Sequence, residues 1–117
     1  MNERTRRAVW RKYGNRCAYC GKEIAYKDMQ VDHMIPKRAN GTDDIENLMP
    51  SCRMCNHYKR ASSIEVFRKM IEEIPKKLER DSYIYRVGVA HGMVQPKDRC
   101  VEFWFETWES FKCEVKE

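Results

Sequence analysis

No run in the 117-residue chain approaches the ~20 apolar residues needed to cross a bilayer. The N-terminus, MNERTRRAVWRKYG, is charged and has no apolar core of the kind a secretory signal requires. There is no internal repeat, low-complexity stretch or interdomain linker, so a single domain over residues 1–117 is expected. These absences predict a cytoplasmic protein with no membrane partner. A reducing compartment disfavours disulfides, so paired cysteines are better read as metal ligands. A domain of this size builds only a modest core, to which a structural metal would add useful stability.

Charge is present but uneven. The net charge is +5. Residues 1–60 hold 13 Lys/Arg against 7 Asp/Glu, whereas residues 61–117 hold 10 against 11. The basic half also carries the polar residues described next. A basic face around a polar site suits a phosphate-bearing partner. Solvated surface lysine and arginine explain the same numbers, so charge alone does not decide the matter.

Four of the six cysteines form two Cys-x-x-Cys units, Cys17/Cys20 and Cys52/Cys55, with 31 residues between them. Four thiolates in two knuckles match a closed tetrahedral zinc site, one ion per chain, which staples a fold and does no chemistry. Free buried cysteines or an iron–sulfur cluster are the alternatives. The long gap suggests that the metal clips the N-terminal segment to a separate unit between the knuckles. Cys100 and Cys113 have no partner spacing and read as ordinary thiols.

That unit is the stretch from Gln30 to Arg60, QVDHMIPKRANGTDDIENLMPSCRMCNHYKR. Gln30–Ile35 is an expected strand ended by Pro36, which has no donor for a sheet ladder. Asn40-Gly41 marks a turn within a loop from Lys37 to Glu46. Leu48-Met49 is a second short strand, and a helix runs from Arg53 to Arg60. The product is a ββα unit. Asp32 and Asn56 offer oxygen ligands to a hard cation such as Mg²⁺ or Mn²⁺. A histidine beside that ion, His33, can take a proton from water. Asn47 can tie down the loop that precedes it. Adjacent strand residues face opposite sides, so Asp32 and His33 share a site only if the strand ends or bulges there.

The rest of the chain reads mainly as helix. Residues 4–13 suit a helix with Ala8, Val9 and Tyr13 inward and Trp10 at its edge, stopped by Gly14-Asn15. Gly21 supplies the positive φ that the first knuckle needs. Residues 22–29 suit a short loop or hairpin. Ser62 or Ser63 caps a helix whose inward stripe is Ile64, Phe67, Met70, Ile71 and Ile74, broken or restarted by Pro75. Residues 76–90 look like a further helix with Leu78, Ile84, Val87 and Tyr83 inward. Residues 100–106 alternate as a strand, with Val101, Phe103 and Phe105 inward and Trp104 outward, either as a partner surface or as cover for the terminus. Residues 107–117 are a short helix or a frayed end.

Three motifs carry a resemblance: Asp32-His33-Met-Ile-Pro36, then Asn47-Leu48, then Cys52-x-x-Cys55-Asn56-x-x-Lys59. In this order they resemble the HNH endonuclease family, the ββα-metal or His-Me finger nucleases, in the subgroup with two cysteine knuckles. The resemblance covers about residues 5–70 and leaves 71–117 as an extension. It implies a ββα-metal finger; together with the four-cysteine zinc site and the apolar patterns read above, the expected fold is α+β, with a helical plus β-strand C-terminal extension. By the same resemblance, His33 is the general base, Asp32 and Asn56 hold the catalytic metal, and Asn47 orients the histidine loop. His57 is the alternative ligand to Asn56. An asparagine at position 56 favours Mg²⁺ or Mn²⁺ over zinc or nickel.

The activity so implied is divalent-metal-dependent hydrolysis of DNA phosphodiester bonds, in a monomer or homodimer of phage or mobile-element type. Lys37, Arg38, Arg53, Lys59 and Arg60 are the expected phosphate contacts. A catalytically silent zinc module that binds nucleic acid or a protein is the rival reading, and the Asp32-His33 pair counts against it.

Overall fold

The computed structural model describes residues 1–108. The described residues form two compact units. One is Met1–Ile64 together with the C-terminal segment from Glu102; the other is Glu65–Val101.

The first unit opens with helix α1, Glu3–Arg11. Asn2 caps it by accepting from the Thr5 amide at 2.8 Å, and Glu3 and Arg11 complement the dipole at its two ends. Gly14 and Asn15 both take positive φ and stop the helix. Val9, Tyr13 and the half-buried Trp10 face inward, but Ala8 is exposed, against expectation. The inward position is instead shared by Arg6, whose guanidinium donates to the Tyr26 and Met29 carbonyls at 3.0 and 2.8 Å. A long side chain that satisfies buried carbonyls displaces an alanine that has nothing to bury.

Strands β1, Gln30–His33, and β2, Leu48–Ser51, pair antiparallel, with Asp32 opposite Met49 and His33 opposite Leu48. Strand β1 ends two residues earlier than expected, at His33. Helix α2, Arg53–Lys59, follows directly, capped by the Cys52 sulfur at 3.4 Å from the Cys55 amide. The Lys12 ammonium clips α1 to this unit by donating to the carbonyls of Ile45, Glu46 and Leu48 at 2.6, 3.2 and 2.9 Å.

The expected strand over 100–106 does not form, and no strand follows Ser51 among the described residues. Residues 104–108 are helical instead. Phe103 and Phe105 are still buried, but they stack on each other 6.0 Å apart and edge onto Tyr19. The backbone here bonds the first knuckle rather than a sheet: the Trp104 and Phe105 amides donate to the carbonyls of Tyr19 and Ala18 at 3.1 and 2.8 Å. Alternation of apolar residues thus records contact with a loop here, not a ladder partner. Trp104 is half-buried, its indole N–H donating to the Tyr13 carbonyl at 3.0 Å. It lies where a Cβ on Gly21 would come within 3.3 Å, so Gly21 is required by this close approach as well as by its φ of 81°.

The second unit contains most of α3, Ile64–Glu72, then α4, Ile74–Asp81, and α5, Tyr83–Ala90. Pro75 restarts the chain as α4, sitting in its first turn. The helix expected over 76–90 is two helices. Ser82 leaves the helical region at φ −120° and caps α5 by accepting from the Tyr85 amide. That break resets the helical phase, so the inward face assumed for one continuous helix fails: Leu78, Tyr83, Ile84 and Val87 are all exposed. Val101 is held within this unit by the Arg68 guanidinium on its carbonyl and the Glu72 carboxylate on its amide. Cys100 is exposed, and Cys113 and the rest of the tail lie outside the described residues.

Candidate functional site

The ligand sulfurs of Cys17, Cys20, Cys52 and Cys55 lie within 4.8 Å of one another, with Cys20 and Cys52 at 3.9 Å. Sulfurs about 2.3 Å from a tetrahedral zinc are about 3.8 Å apart, so the cluster fits that ion. Crowding separates the thiols electrostatically. Hydrogen bonds first from Cys20 and then from Cys55 hold the Cys17 thiol far below its ordinary range. The Cys20 and Cys55 thiols are pushed up, each chiefly by its hydrogen bond to Cys17; Cys20 reaches about 11.

The knuckle is joined to β1 by Tyr19, one of the two residues between its cysteines. Tyr19 is buried and donates its hydroxyl to Asp32 Oδ2 at 2.6 Å. Burial, and then the Asp32 charge, push the Tyr19 phenol well above its ordinary range, so it remains a donor. The same Asp32 oxygen pairs with the Lys59 ammonium at 3.0 Å. Lys59 is 1% exposed and also donates to the His33 carbonyl at 3.2 Å. It is therefore a buried counter-ion and is not available to a DNA backbone, contrary to the phosphate contact expected of it. An ammonium with no route to solvent needs a carboxylate partner, which Asp32 provides.

Gln30 and Asp32 are two residues apart on β1 and share the face turned to α2. Asn56 and Lys59, three apart, are their partners on the helix: the Asn56 amide nitrogen donates to Gln30 Oε1. Asn56 is part-buried against the strand, whereas His57 is exposed.

His33 sits at the strand end. Its Nε2 lies 2.8 Å from Asp43 Oδ1, and Asp43 Oδ2 bonds the Lys37 ammonium at 2.7 Å. Lys37 first, then His33, hold the Asp43 carboxyl below the usual range. The loop that carries Asp43 is tied by the buried Asn47. Its amide oxygen accepts from the Ile35 N–H at 2.8 Å, and its nitrogen donates to the Ile35 and Thr42 carbonyls at 3.0 and 2.8 Å. Gly41 lets the loop close: a Cβ there would stand 1.7 Å from the Ile35 oxygen.

Asp32 and His33 line one groove of about 300 Å³, with Pro36, Lys37, Arg38 and Arg60 around it. The early end of β1 is what lets adjacent residues share it. Arg38 is anchored by two bonds to the Ala61 carbonyl, at 3.2 and 2.9 Å. Arg53 is elsewhere, lining a separate cavity of about 530 Å³ with Lys22, Lys27 and Gln30. Tyr19, Gln30 and Asp43 were not evident as site residues. Each is an ordinary surface or core type in sequence, and only the fold brings it to Asp32, Asn56 or His33.

Against known proteins, residues 17–62 match the family model for HNH endonuclease. These residues form an HNH endonuclease domain. Over 54 residues the chain is 35% identical to the CRISPR-associated endonuclease Cas9 of Corynebacterium diphtheriae, a match over 45% of this chain and 5% of that protein. Over 55 residues it is 34% identical to the Cas9 of Actinomyces naeslundii, covering 46% of this chain and 5% of that protein. The crystal structure of the Type II-C Cas9 enzyme from Actinomyces naeslundii superposes with a TM-score of 0.53 at 18% identity, over 96% of this chain and 14% of that one. The fold is thus shared well beyond the HNH domain, while the chain spans only a small part of these relatives. No helix among the described residues is long and apolar enough to cross a membrane.

Proposed function

We propose that this chain is a divalent-metal-dependent DNA endonuclease whose reaction takes place in the groove lined by Asp32 and His33. One observation carries the reading: Asp32, whose side chain is buried, and His33 line the same groove, ringed by Lys37, Arg38 and Arg60. The two Cas9 relatives are endonucleases by name, which supports the reaction class.

The residues fit a hard cation. Asp32 on β1 and Asn56 on α2, two elements joined by the Asp32–Lys59 and Gln30–Asn56 contacts, offer oxygen ligands. Both polar contacts of Asp32 fall on Oδ2, leaving Oδ1 for a metal. Asn56 bonds Gln30 through its nitrogen, leaving its amide oxygen for the same purpose. Asn56 is favoured over His57 because it faces the strand. Oxygen donors favour Mg²⁺ or Mn²⁺. Such an ion, when bound, would stabilise the charge developing on the phosphate and on the leaving 3′ oxygen.

His33 then acts as general base. It removes a proton from water as the water oxygen bonds to phosphorus and the bond from phosphorus to the 3′ oxygen breaks. The departing 3′ oxygen takes a proton from solvent, so the products are a 5′ phosphate and a 3′ hydroxyl. Asn47 holds the loop from both ends so that the ring keeps its place. Lys37, Arg38 and Arg60 at the groove, with Arg53 further off, bind the backbone without reading bases. The four-cysteine cluster holds one structural zinc. Incubating the protein with supercoiled plasmid in Mg²⁺, Mn²⁺ or EDTA tests the reading. Nicked or linear product is expected only with added metal; intact plasmid under every condition, with DNA still bound, would make the domain a binding module.

A further inference from the structure

We propose that Asp43 is a positioning residue for His33, holding the ring in the tautomer that leaves Nδ1 free to take a proton. This rests on the reading of His33 as general base. The geometry is direct, with Asp43 Oδ1 2.8 Å from His33 Nε2. A carboxylate can only accept, so in the neutral ring the proton sits on Nε2 and donates to Asp43. A neutral imidazole carries one N–H, and the lone pair is then on Nδ1. Asp43 is itself aimed. Its second oxygen takes the Lys37 ammonium at 2.7 Å, which opposes rotation of the carboxylate away from the ring.

Holding the loop together does not require this contact. The Asn47 side chain already makes three bonds to Ile35 and Thr42, and the Gly41 amide donates to the Pro36 carbonyl at 3.0 Å. The Asp43 side chain is 65% exposed, and among the described residues its polar contacts are with Lys37 and His33. An exposed carboxylate that ends on a groove histidine does its work on that histidine. Lys37 accordingly serves this chain of contacts as well as the groove's charge.

The test combines cleavage kinetics with ring ¹⁵N NMR, at a pH of about 8 where an ordinary imidazole is neutral. The chain has three histidines, so His33→Ala assigns the His33 signals by their loss. In the wild type the protonated nitrogen should be Nε2. Asp43→Asn can donate to the ring as well as accept from it, so the tautomers should mix. Single-turnover cleavage should fall at least ~10-fold, with little change in plasmid affinity. Asp43→Glu, which restores a carboxylate, should recover both the Nε2–H signal and part of the rate. Wild-type cleavage by Asp43→Asn would overturn the proposal, as would slow cleavage with an unchanged tautomer. If His33→Ala cleaves like the wild type, the general-base reading has failed instead.

Discussion

The Tyr19 hydroxyl, 2.6 Å from Asp32 Oδ2, ties the first cysteine knuckle to the strand that carries the candidate catalytic pair. Tyr19 lies two residues after one zinc-ligand candidate and next to another, and its ring is packed by Phe103 and Phe105. The first cysteine knuckle, the aromatic core and Asp32 therefore meet at one residue. Tyr19→Phe keeps the packing and deletes a hydrogen bond to a charged group, so a stability loss of about 1.5–3 kcal/mol is expected. Cleavage should fall as well, because Asp32 loses one of its two orienting contacts. Urea unfolding beside plasmid cleavage checks both; an unchanged rate would mean that Lys59 alone orients Asp32.

Lys59→Met should be costlier. It leaves Asp32 with a buried charge and no counter-ion, and a loss of about 3–5 kcal/mol follows. The check is a urea midpoint alongside DNA affinity. A variant of normal stability with weakened DNA binding would return Lys59 to the phosphate-contact role that its burial argues against.

The four cysteines predict a dependence of the fold on metal. A strong chelator should release about one zinc per chain, and the far-ultraviolet circular dichroism should collapse, since the binding free energy of such a site is folding free energy. A metal-free chain that keeps its melting point would remove the zinc staple from the account.

Gly41→Ala should disable the site while sparing the rest of the fold. A Cβ 1.7 Å from the Ile35 oxygen forces the loop open and moves Asp43 from His33. Cleavage should drop at least ~10-fold, about 1.4 kcal/mol in barrier, with amide exchange rising in residues 37–46. Unchanged exchange and rate would show that the loop absorbs the methyl group.

Much of this site was legible in the sequence because its signals are local. Two Cys-x-x-Cys units, a strand ended near Pro36 and a turn at Asn40-Gly41 each declare themselves within a few residues. What escaped depends on partners far along the chain. Lys59 read as a surface cation, and only the pairing of α2 with β1 shows it buried on Asp32. Phe103 and Phe105 alternate as a strand does, yet the Trp104 and Phe105 amides bond the carbonyls of Tyr19 and Ala18, 85 and 87 residues earlier. Ser82 was invisible as a break because a serine inside a helical pattern is tolerated until its side chain finds an amide to cap.

The central claim is that His33 performs the chemistry, and the most direct measurement is plasmid cleavage in Mg²⁺ by His33→Ala beside the wild type, with DNA binding and melting temperature followed in parallel. The account predicts that cleavage is lost by a factor of at least ~100, while binding and stability stay near those of the wild type. Near-wild-type cleavage by His33→Ala would contradict it.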